Sequence, residues 1–295
     1  MLGYQEYDGP ATRFLRAILP TFRYWMQTEV HVYAFSIAAN VLLSFFPFLI
    51  VTLSLSRLFF NYQTTVAAID FALRDYFPSV FSQYLHNSLP RNRPIPDVLS
   101  ILLLLFTANG IFEPLEVALN RVWGIHTNRS FLRNQLVSLA LIFTCGGLAL
   151  LSLGFAAINH DSLSGNFLKT WIGTVFLRLA VAPVTALSLL LVYRFLPNGK
   201  PPFKRVVPAA IGVGLLLELL KYVVALVWPW FDAKLVREYG VFRYSVSLIF
   251  LAFFASMLVL AGAEWSARGY RFDRVPSASV ENALNGKAEN AEGAG

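Results

Sequence analysis

The stretch LLLLFTANGIFEPLEVALNRVWG, Leu102 to Gly124, begins as an unbroken apolar run and then takes up two amides and two carboxylates. These four polar residues are Asn109, Glu113, Glu116 and Asn120. Their spacings of four, three and four residues place them on one face of a helix. A carboxylate facing lipid costs roughly 2.5 to 3.5 kcal/mol on insertion scales, so this face is expected to point into a helix bundle or a wet cavity. The stretch predicts a transmembrane helix with one polar face.

The whole chain is more apolar than a soluble protein. Of its 295 residues, 56% are hydrophobic and 14% are charged, whereas soluble domains carry about 25% charged residues. Six apolar segments are each long enough to cross a hydrocarbon core of about 30 Å. They are residues 34–60, 98–119, 136–158, 171–196, 206–228 and 245–267. The composition therefore predicts an all-α integral membrane protein with six transmembrane helices.

The chain has a net charge of +7, and its basic residues are distributed unevenly between the predicted inner and outer segments. With the N-terminus inside, the predicted inner segments carry about twice as many Lys and Arg residues as the outer segments, as expected from the positive-inside rule. Both ends of the chain are therefore predicted to lie in the cytoplasm. The charge excess is a topology signal, and no nucleic acid is expected as a partner.

The remaining segments complete the predicted organisation. Residues 1–33 mix arginines with aromatic and aliphatic side chains, which is typical of an interfacial helix on the inner leaflet. The outer loop at 61–97 is long and has apolar residues at helical spacing, which predicts amphipathic helices. Residues 268–295 follow the six-helix domain 34–267 and are predicted to form a disordered cytoplasmic tail, because they have little apolar content. The single cysteine, Cys145, is interpreted as a packing residue.

Catalytic and cofactor sites are not apparent in the sequence. A metal-dependent nuclease needs clustered His and carboxylate ligands. The histidines are instead far apart in the chain and on both predicted sides of the membrane; they are His31, His86, His126 and His160. Neither a G-x-S-x-G elbow nor a phosphate-binding glycine loop occurs. The sequence therefore predicts no enzymatic activity, no cofactor and no metal ion.

Other predicted spans carry polar groups that are candidates to meet the polar face of the second helix. They are Asn40 and Ser44 in the first span, Arg178 in the fourth, Glu218 and Lys221 in the fifth, and Glu264 in the sixth. Under the predicted topology Arg178 and Lys221 lie toward the outside. Pro47, Pro114 and Pro183 are candidate helix breaks, because each removes a backbone hydrogen bond. Pro47 and Pro183 fall in the first helix of each three-span half, a pattern found in inverted-repeat transporters.

Two interpretations of these polar groups stay open. In the structural interpretation, Glu218 pairs with Lys221 on its own helix, and the other carboxylates bond to amides or inner arginines near the headgroups. In the functional interpretation, the groups line a polar cavity in which Arg178 and Lys221 attract an anionic headgroup or solute, while carboxylates relay protons or exclude the wrong ion. Glu113 and Glu116 lie about one turn apart, and repulsion between their like charges favours the functional interpretation.

Several motifs resemble the YihY/BrkB family of bacterial inner-membrane proteins. They are SIAANVLLSFFPFLIV in the first span, ALNRVWGI after the second, YRFLPN after the fourth, and EYG and LVLAGAEWSAR before and at the end of the sixth. The resemblance runs over residues 13–268 with the motifs in family order. Where members often carry a tyrosine pair and two tryptophans, this chain has Ala39, Asn40, Phe106 and Leu251. The resemblance implies a six-helix protein of the bacterial cytoplasmic (inner) membrane.

The resemblance does not bring one activity with it. Members have carried the labels virulence factor and ribonuclease BN, and transport or envelope-lipid roles have been suggested. Without a metal-ligating cluster, ribonuclease activity is not expected here. The sequence predicts a polar intramembrane cavity in a transporter or lipid-handling protein of the cell envelope, with membrane lipids as partners and an anionic lipid or small anion as substrate. The alternative is a non-transporting scaffold for envelope assembly, and no feature of the sequence indicates the oligomeric state.

Overall fold

The computed structural model describes residues 19–56, 98–127, 129–163 and 182–268, and the regular structure within them is helical. The helices α1 to α6 are Thr28–Ser56, Val98–Trp123, Phe131–Leu163, Ala182–Phe195, Phe203–Tyr239 and Arg243–Ala267. A helical segment at residues 19–25 precedes α1, and the 3₁₀ turn Gly240–Phe242 joins α5 to α6. The all-helical class predicted from the apolar runs is confirmed for these residues.

Three of the described helices have the length and apolar composition of a membrane span. They are Thr28–Val51 within α1, and α5 and α6 over their full lengths. Two shorter apolar helices are Leu132–Leu148 within α3, and α4. These helices agree with a membrane protein, while the count of six spans remains a prediction. The predicted amphipathic helices at 61–97 and the tail beyond residue 268 lie outside the described residues.

α1 begins earlier in the chain than the first span predicted from the sequence. The chain turns at Met26 and Gln27, between the helical segment 19–25 and the start of α1 at Thr28. Residues 28–33, which the sequence interpretation placed in the interfacial segment, therefore belong to the first long helix. Its N-terminal part is polar, with Glu29 in the first turn, and acidic residues are favourable at that position of a helix.

α5 is longer than the predicted fifth span. The predicted span ends at residue 228, so that Lys234 is expected in an outer segment. In the structure α5 runs for 37 residues to Tyr239 and includes Lys234. It continues through Pro229, because a proline in a long apolar helix costs one backbone bond that neighbouring groups can compensate. The helix ends at Tyr239, and the residue that caps it, Gly240, has a φ of 52°, which favours glycine.

α6 lies at the centre of the described bundle, packed against α1, α2 and α5. A Cβ at Gly262 would overlap Val213 of α5 and the Tyr193 hydroxyl of α4. The buried hydroxyl of Tyr193 donates to the carbonyl oxygen of Val259 at 2.6 Å. Small residues allow this close approach, which is how helices associate without a hydrophobic driving force in lipid.

Four segments that are distant in the sequence meet at one end of this bundle, which we call the basic end. It comprises residues 19–25, 120–127 with 129–130, 193–205 and 264–268. Arg205 donates to the backbone oxygen of Arg268, and the Asn198 side chain donates to the backbone oxygen of Thr127 at 3.0 Å. The charge bias predicts that these segments lie on the same side of the membrane, and their contacts are compatible with that topology.

Candidate functional site

Asn120 joins α2 to the loop between α4 and α5. Its Nδ2 donates to Glu116 Oε1 at 3.4 Å, and its Oδ1 accepts from the backbone N–H of Asn198 at 2.7 Å. Because an amide has distinct donor and acceptor atoms, these two bonds together fix the orientation of the side chain. Asn120 therefore holds α2 against the α4–α5 loop at the basic end.

Glu116 is the buried carboxylate of the predicted polar face, with an exposed fraction of 6%. The amide side chains of Asn134 and Asn198 also lie beside it. Among the described residues, no donor reaches Glu116 Oε2 in hydrogen-bonding geometry, and Ser138 Oγ and Asn134 Oδ1 have no partner either. The described residues therefore use the hydrogen-bonding capacity of this polar cluster only in part.

Arg129 caps the C-terminal end of α4. Its guanidinium donates to the carbonyl oxygens of Phe195 at 3.3 Å and Leu196 at 3.5 Å, and also to that of Pro197. Carbonyls at a helix C-terminus have no helical donor, and a cation is favourable there. Burial lowers the pKa of the Arg129 guanidinium, and the Glu116 carboxylate opposes that shift. Arg129 thus stabilises the end of α4 and partly balances the charge of Glu116.

Glu264 is paired at the end of α6. Arg268, four residues further on, donates Nε to Oε1 and Nη2 to Oε2 of this carboxylate, both at 2.9 Å. Thr21 Oγ1 donates to Glu264 Oε2 at 2.8 Å, and Trp25 Nε1 donates to the carbonyl oxygen of Met257 at 2.9 Å. Glu264 therefore ties the helical segment before α1 to α6.

Glu218 and Lys221 form an ion pair within α5. Lys221 Nζ lies 2.8 Å from Glu218 Oε1, and the two side chains are 11% and 23% exposed, respectively. A desolvated lysine needs such a partner, because burial disfavours its charged form. This pairing is the contact that the structural interpretation expects, and it engages the lysine that the functional interpretation assigned to an anion.

The polar residues of α1 take part in helix packing. Asn40 Nδ2 donates to the backbone oxygen of Ser36 at 2.9 Å, and the same amide lies where a Cβ on Gly110 of α2 would stand. The buried Ser44 hydroxyl donates to the carbonyl oxygen of Val41 at 3.1 Å. Both groups are thus engaged locally at or near the contact between α1 and α2.

The predicted polar face of α2 does not lie in one environment. Glu113 is exposed, whereas Glu116, three residues away, is buried. The side chains of Asn109 and Arg178 lie outside the described residues. Within the part of the chain that the structure describes, no three His, Cys, Asp or Glu side chains gather as metal ligands do. A cavity shared by all the predicted polar residues therefore remains a prediction.

The prolines predicted as helix breaks lie inside helices. Pro47 is buried within α1, and Pro114 lies within α2. Both helices continue past their proline, so neither residue ends the element that contains it. Pro183 is the second described residue of α4 and forms part of the wall of an apolar groove.

This groove lies between α4 and α5 and has a volume of about 400 Å³. Its walls are formed within residues 182–190 and 207–215, and every lining residue is Ala, Pro, Leu, Val, Ile or Gly. A Cβ on Gly214 would meet Ala186 at 3.6 Å, so the helices come close together beside the groove. The volume falls in the range of about 300 to 1,000 Å³ that is usual for ligand sites.

Sequence reasoning missed the groove and the links made by Arg129 and Asn198. Their partners are 66 to 78 residues away, and no spacing along a single helix connects them. The groove had one signal in the sequence, which was the small and apolar residues at three- and four-residue spacing on both sides of the short loop at 196–202. Such a short loop makes two helices antiparallel neighbours.

Span-length apolar helices, with charged side chains paired within them, define a helical integral membrane protein. Over residues 21–282 the chain matches the family model described as Virulence factor BrkB, and it belongs to that family. The resemblance seen in the motifs is therefore confirmed.

The relatives are bacterial membrane proteins. A UPF0761 membrane protein of Chlorobium luteolum is 25% identical over 280 residues, which cover 90% of this chain and 62% of the relative. One of Pseudoalteromonas translucida is 25% identical over 266 residues, covering 83% of this chain and 85% of the relative. One of Alcanivorax borkumensis is 32% identical over 171 residues, which cover 57% of this chain and 39% of the relative.

The coverage of these relatives is partial. The chain spans 62% and 58% of the length of the two Chlorobium relatives that head the comparison. No solved structure matches the chain.

Proposed function

We propose that this protein handles lipid in the bacterial inner membrane, by binding a lipid tail in the groove between α4 and α5 and without covalent chemistry. The observation that carries the proposal is the groove itself, which is of ligand size and has only apolar lining residues. Lipid tails are as apolar as these side chains, so a tail can enter with little cost and be oriented by packing against two helices.

The ion pairs within α5 and α6 support lipid handling over the movement of a small anion. Lys221 is paired with Glu218, and Arg268 with Glu264. A cation that already has a carboxylate partner attracts a second anion only weakly. A small anion also needs polar groups along its path to replace its hydration shell, and the groove offers none. Its apolar walls fit hydrocarbon.

A bulky substitution in the groove tests this proposal. Ile211 lines the groove and is 50% exposed, whereas Leu226 on the same helix lies outside it and is 83% exposed. Ile211→Trp is expected to slow the transfer of a fluorescent phospholipid between the leaflets of proteoliposomes by about tenfold, because the indole occupies the space of the tail. Leu226→Trp adds the same bulk on a lipid-exposed surface and is expected to leave the rate within about twofold of the wild type.

The outcome separates lipid handling from a scaffold role. A scaffold would fold, insert and still give a transfer rate equal to that of empty liposomes, with both tryptophan variants equal to the wild type. Equal slowing by Ile211→Trp and Leu226→Trp would also count against the groove, since it would indicate a general effect of the added bulk. The proposal requires a rate above empty liposomes and selective slowing by Ile211→Trp.

A further inference from the structure

The apolar groove continues toward a cationic end. On α4, Pro183, Leu187 and Leu190 line the groove, and Arg194 follows four residues after Leu190 on the same helical stripe. On α5, the lining residue Val207 is preceded at the same spacing by Phe203, with Lys204 next to it. The stripe on each helix therefore changes from apolar to basic as it reaches the basic end.

Arg194 and Phe203 meet where these two stripes converge. The Arg194 guanidinium carbon lies 5.0 Å from the centre of the Phe203 ring, which is within the range of a cation–π contact. An aromatic face attracts the guanidinium cation. It does not, however, accept strong hydrogen bonds from the guanidinium N–H groups, which lie in the guanidinium plane. This contact holds the basic side chain at the end of the groove without supplying hydrogen-bond acceptors to its N–H groups.

The donors of Arg194 are incompletely used. Its Nε and Nη1 are covered and have no hydrogen-bond acceptor among the described residues, and no described carboxylate forms an ion pair with it. A guanidinium has five N–H donors, and leaving covered donors without acceptors is unfavourable. An anionic group with paired oxygens that reached this fork would supply the acceptors that the described residues do not.

The first turn of α5 adds positive potential at this point. It holds Lys204, which is exposed, and Arg205, and it has no acidic residue. The residue before the helix, Pro202, makes no side-chain cap; its carbonyl oxygen accepts from the N–H groups of Arg205 and Val206, so only the N–H groups of Phe203 and Lys204 remain without a cap there. The helix dipole and the lysine therefore reinforce the attraction of Arg194 for an anion.

We propose that the groove and its cationic end form one binding site for a phospholipid, with an acyl chain along the groove and the phosphodiester bound by Arg194 and Lys204. The site is a specific form of the lipid handling proposed above and rests on it. The fork of an arginine matches two phosphate oxygens, and the apolar stripe begins one helical turn away, as the junction of headgroup and tail requires. The shared phosphodiester is the recognised group, so zwitterionic and anionic phospholipids both bind.

The test is a lipid titration of the full chain in detergent, followed by native mass spectrometry. The probes are phosphatidylglycerol, phosphatidylethanolamine and a diacylglycerol with the same tails. Arg194→Gln is expected to raise the Kd of both phospholipids at least about tenfold, because it removes a charge-assisted contact. The diacylglycerol, which has no phosphate, is expected to bind more weakly than either phospholipid and equally well to both proteins.

Arg237→Gln is the matched control, because Arg237 is exposed and lies in the last turn of α5, at the opposite end from Lys204. Its phospholipid Kd is expected to stay within about twofold of the wild type. A Kd unchanged by Arg194→Gln, or diacylglycerol binding as tight as phospholipid binding, overturns the site. If Arg194→Gln does not fold, Arg194→Lys replaces it, since it keeps the charge but loses the fork, and an unchanged Kd is again contradictory.

The site and the proposed function fail in different ways. Phospholipid binding that depends on Arg194, with no transfer above empty liposomes, supports the site and overturns lipid transfer. Transfer that is slowed by Ile211→Trp, together with a Kd that Arg194→Gln does not change, overturns the headgroup site and leaves the tail groove.

Discussion

Lys221 and Arg194 show two ways in which this protein places a cation on a helix. Lys221 is buried within α5 and meets Glu218 at 2.8 Å. Arg194 is near the end of α4, lies over Phe203 and has covered N–H groups without acceptors in the described residues. The lysine contributes to a pair formed within the protein, whereas the arginine is placed to bind an anion from outside it.

This difference indicates which charges to assign to structure and which to binding. A buried charge with an internal partner is costly to disturb, because the remaining partner stays uncompensated. A cation held by an aromatic ring can be neutralised with little loss of stability, and its loss is felt in ligand binding. Mutation of Lys221 should therefore lower stability more than mutation of Arg194 does. Mutation of Arg194 should lower phospholipid affinity more than mutation of Lys221 does.

The largest effect on stability is expected at the internal ion pair. Lys221→Met leaves the Glu218 carboxylate without this partner and should lower the free energy of unfolding by roughly 3 kcal/mol, measured by SDS titration in mixed micelles. Lys234→Met is the control, because Lys234 and Glu238 are 4.0 Å apart and about half exposed. That change should cost less than about 1 kcal/mol. Equal effects would break the distinction between buried and exposed pairs.

A smaller loss is expected where Asn120 joins α2 to the α4–α5 loop. Asn120→Ala removes the donor to Glu116 and the acceptor of the Asn198 backbone N–H, which should cost about 2 kcal/mol of unfolding free energy in the same titration. Gln135→Ala, at an exposed position of α3, serves as the control and should stay within about 0.5 kcal/mol. A cost at Asn120 no greater than the control would show that this link contributes little.

The smallest change in stability is expected at the groove. Arg194→Gln loses a cation–π contact of about 0.5 to 1 kcal/mol but relieves unpaired N–H groups, so the net change should be within about 0.5 kcal/mol. Added phospholipid should then raise the thermal midpoint of the wild type more than that of the variant, since binding stabilises the folded state by mass action. A loss of stability as large as that of Lys221→Met would identify Arg194 as structural.

The sequence predicted best those features that depend on neighbours within one helix. The contacts of Glu116 with Asn120, and of Glu218 with Lys221, follow from four- and three-residue spacings. The helical class followed in the same way from apolar runs long enough to cross a bilayer. Each of these is a local property, which a single sequence can display.

The features that the sequence did not predict depend on packing between helices. The bond from Asn198 to Asn120 joins residues 78 positions apart, and it forms only once α2 and the α4–α5 loop are side by side. The groove likewise arises from the shapes of two helices, since its residues alone look like any apolar span. The extension of α5 past Pro229 was missed because charged residues near the helix end resemble a loop in sequence, although they remain helical here.

The most direct test of the central claim is to map where a lipid tail contacts the protein. A phospholipid with a photoreactive group in its acyl chain would be crosslinked to the reconstituted full chain, and the adducts located by peptide mass spectrometry. The account predicts adducts concentrated within residues 182–190 and 207–215, and their loss in Ile211→Trp but not in Leu226→Trp. Adducts spread evenly over the exposed apolar faces, with no enrichment at the groove, would contradict it.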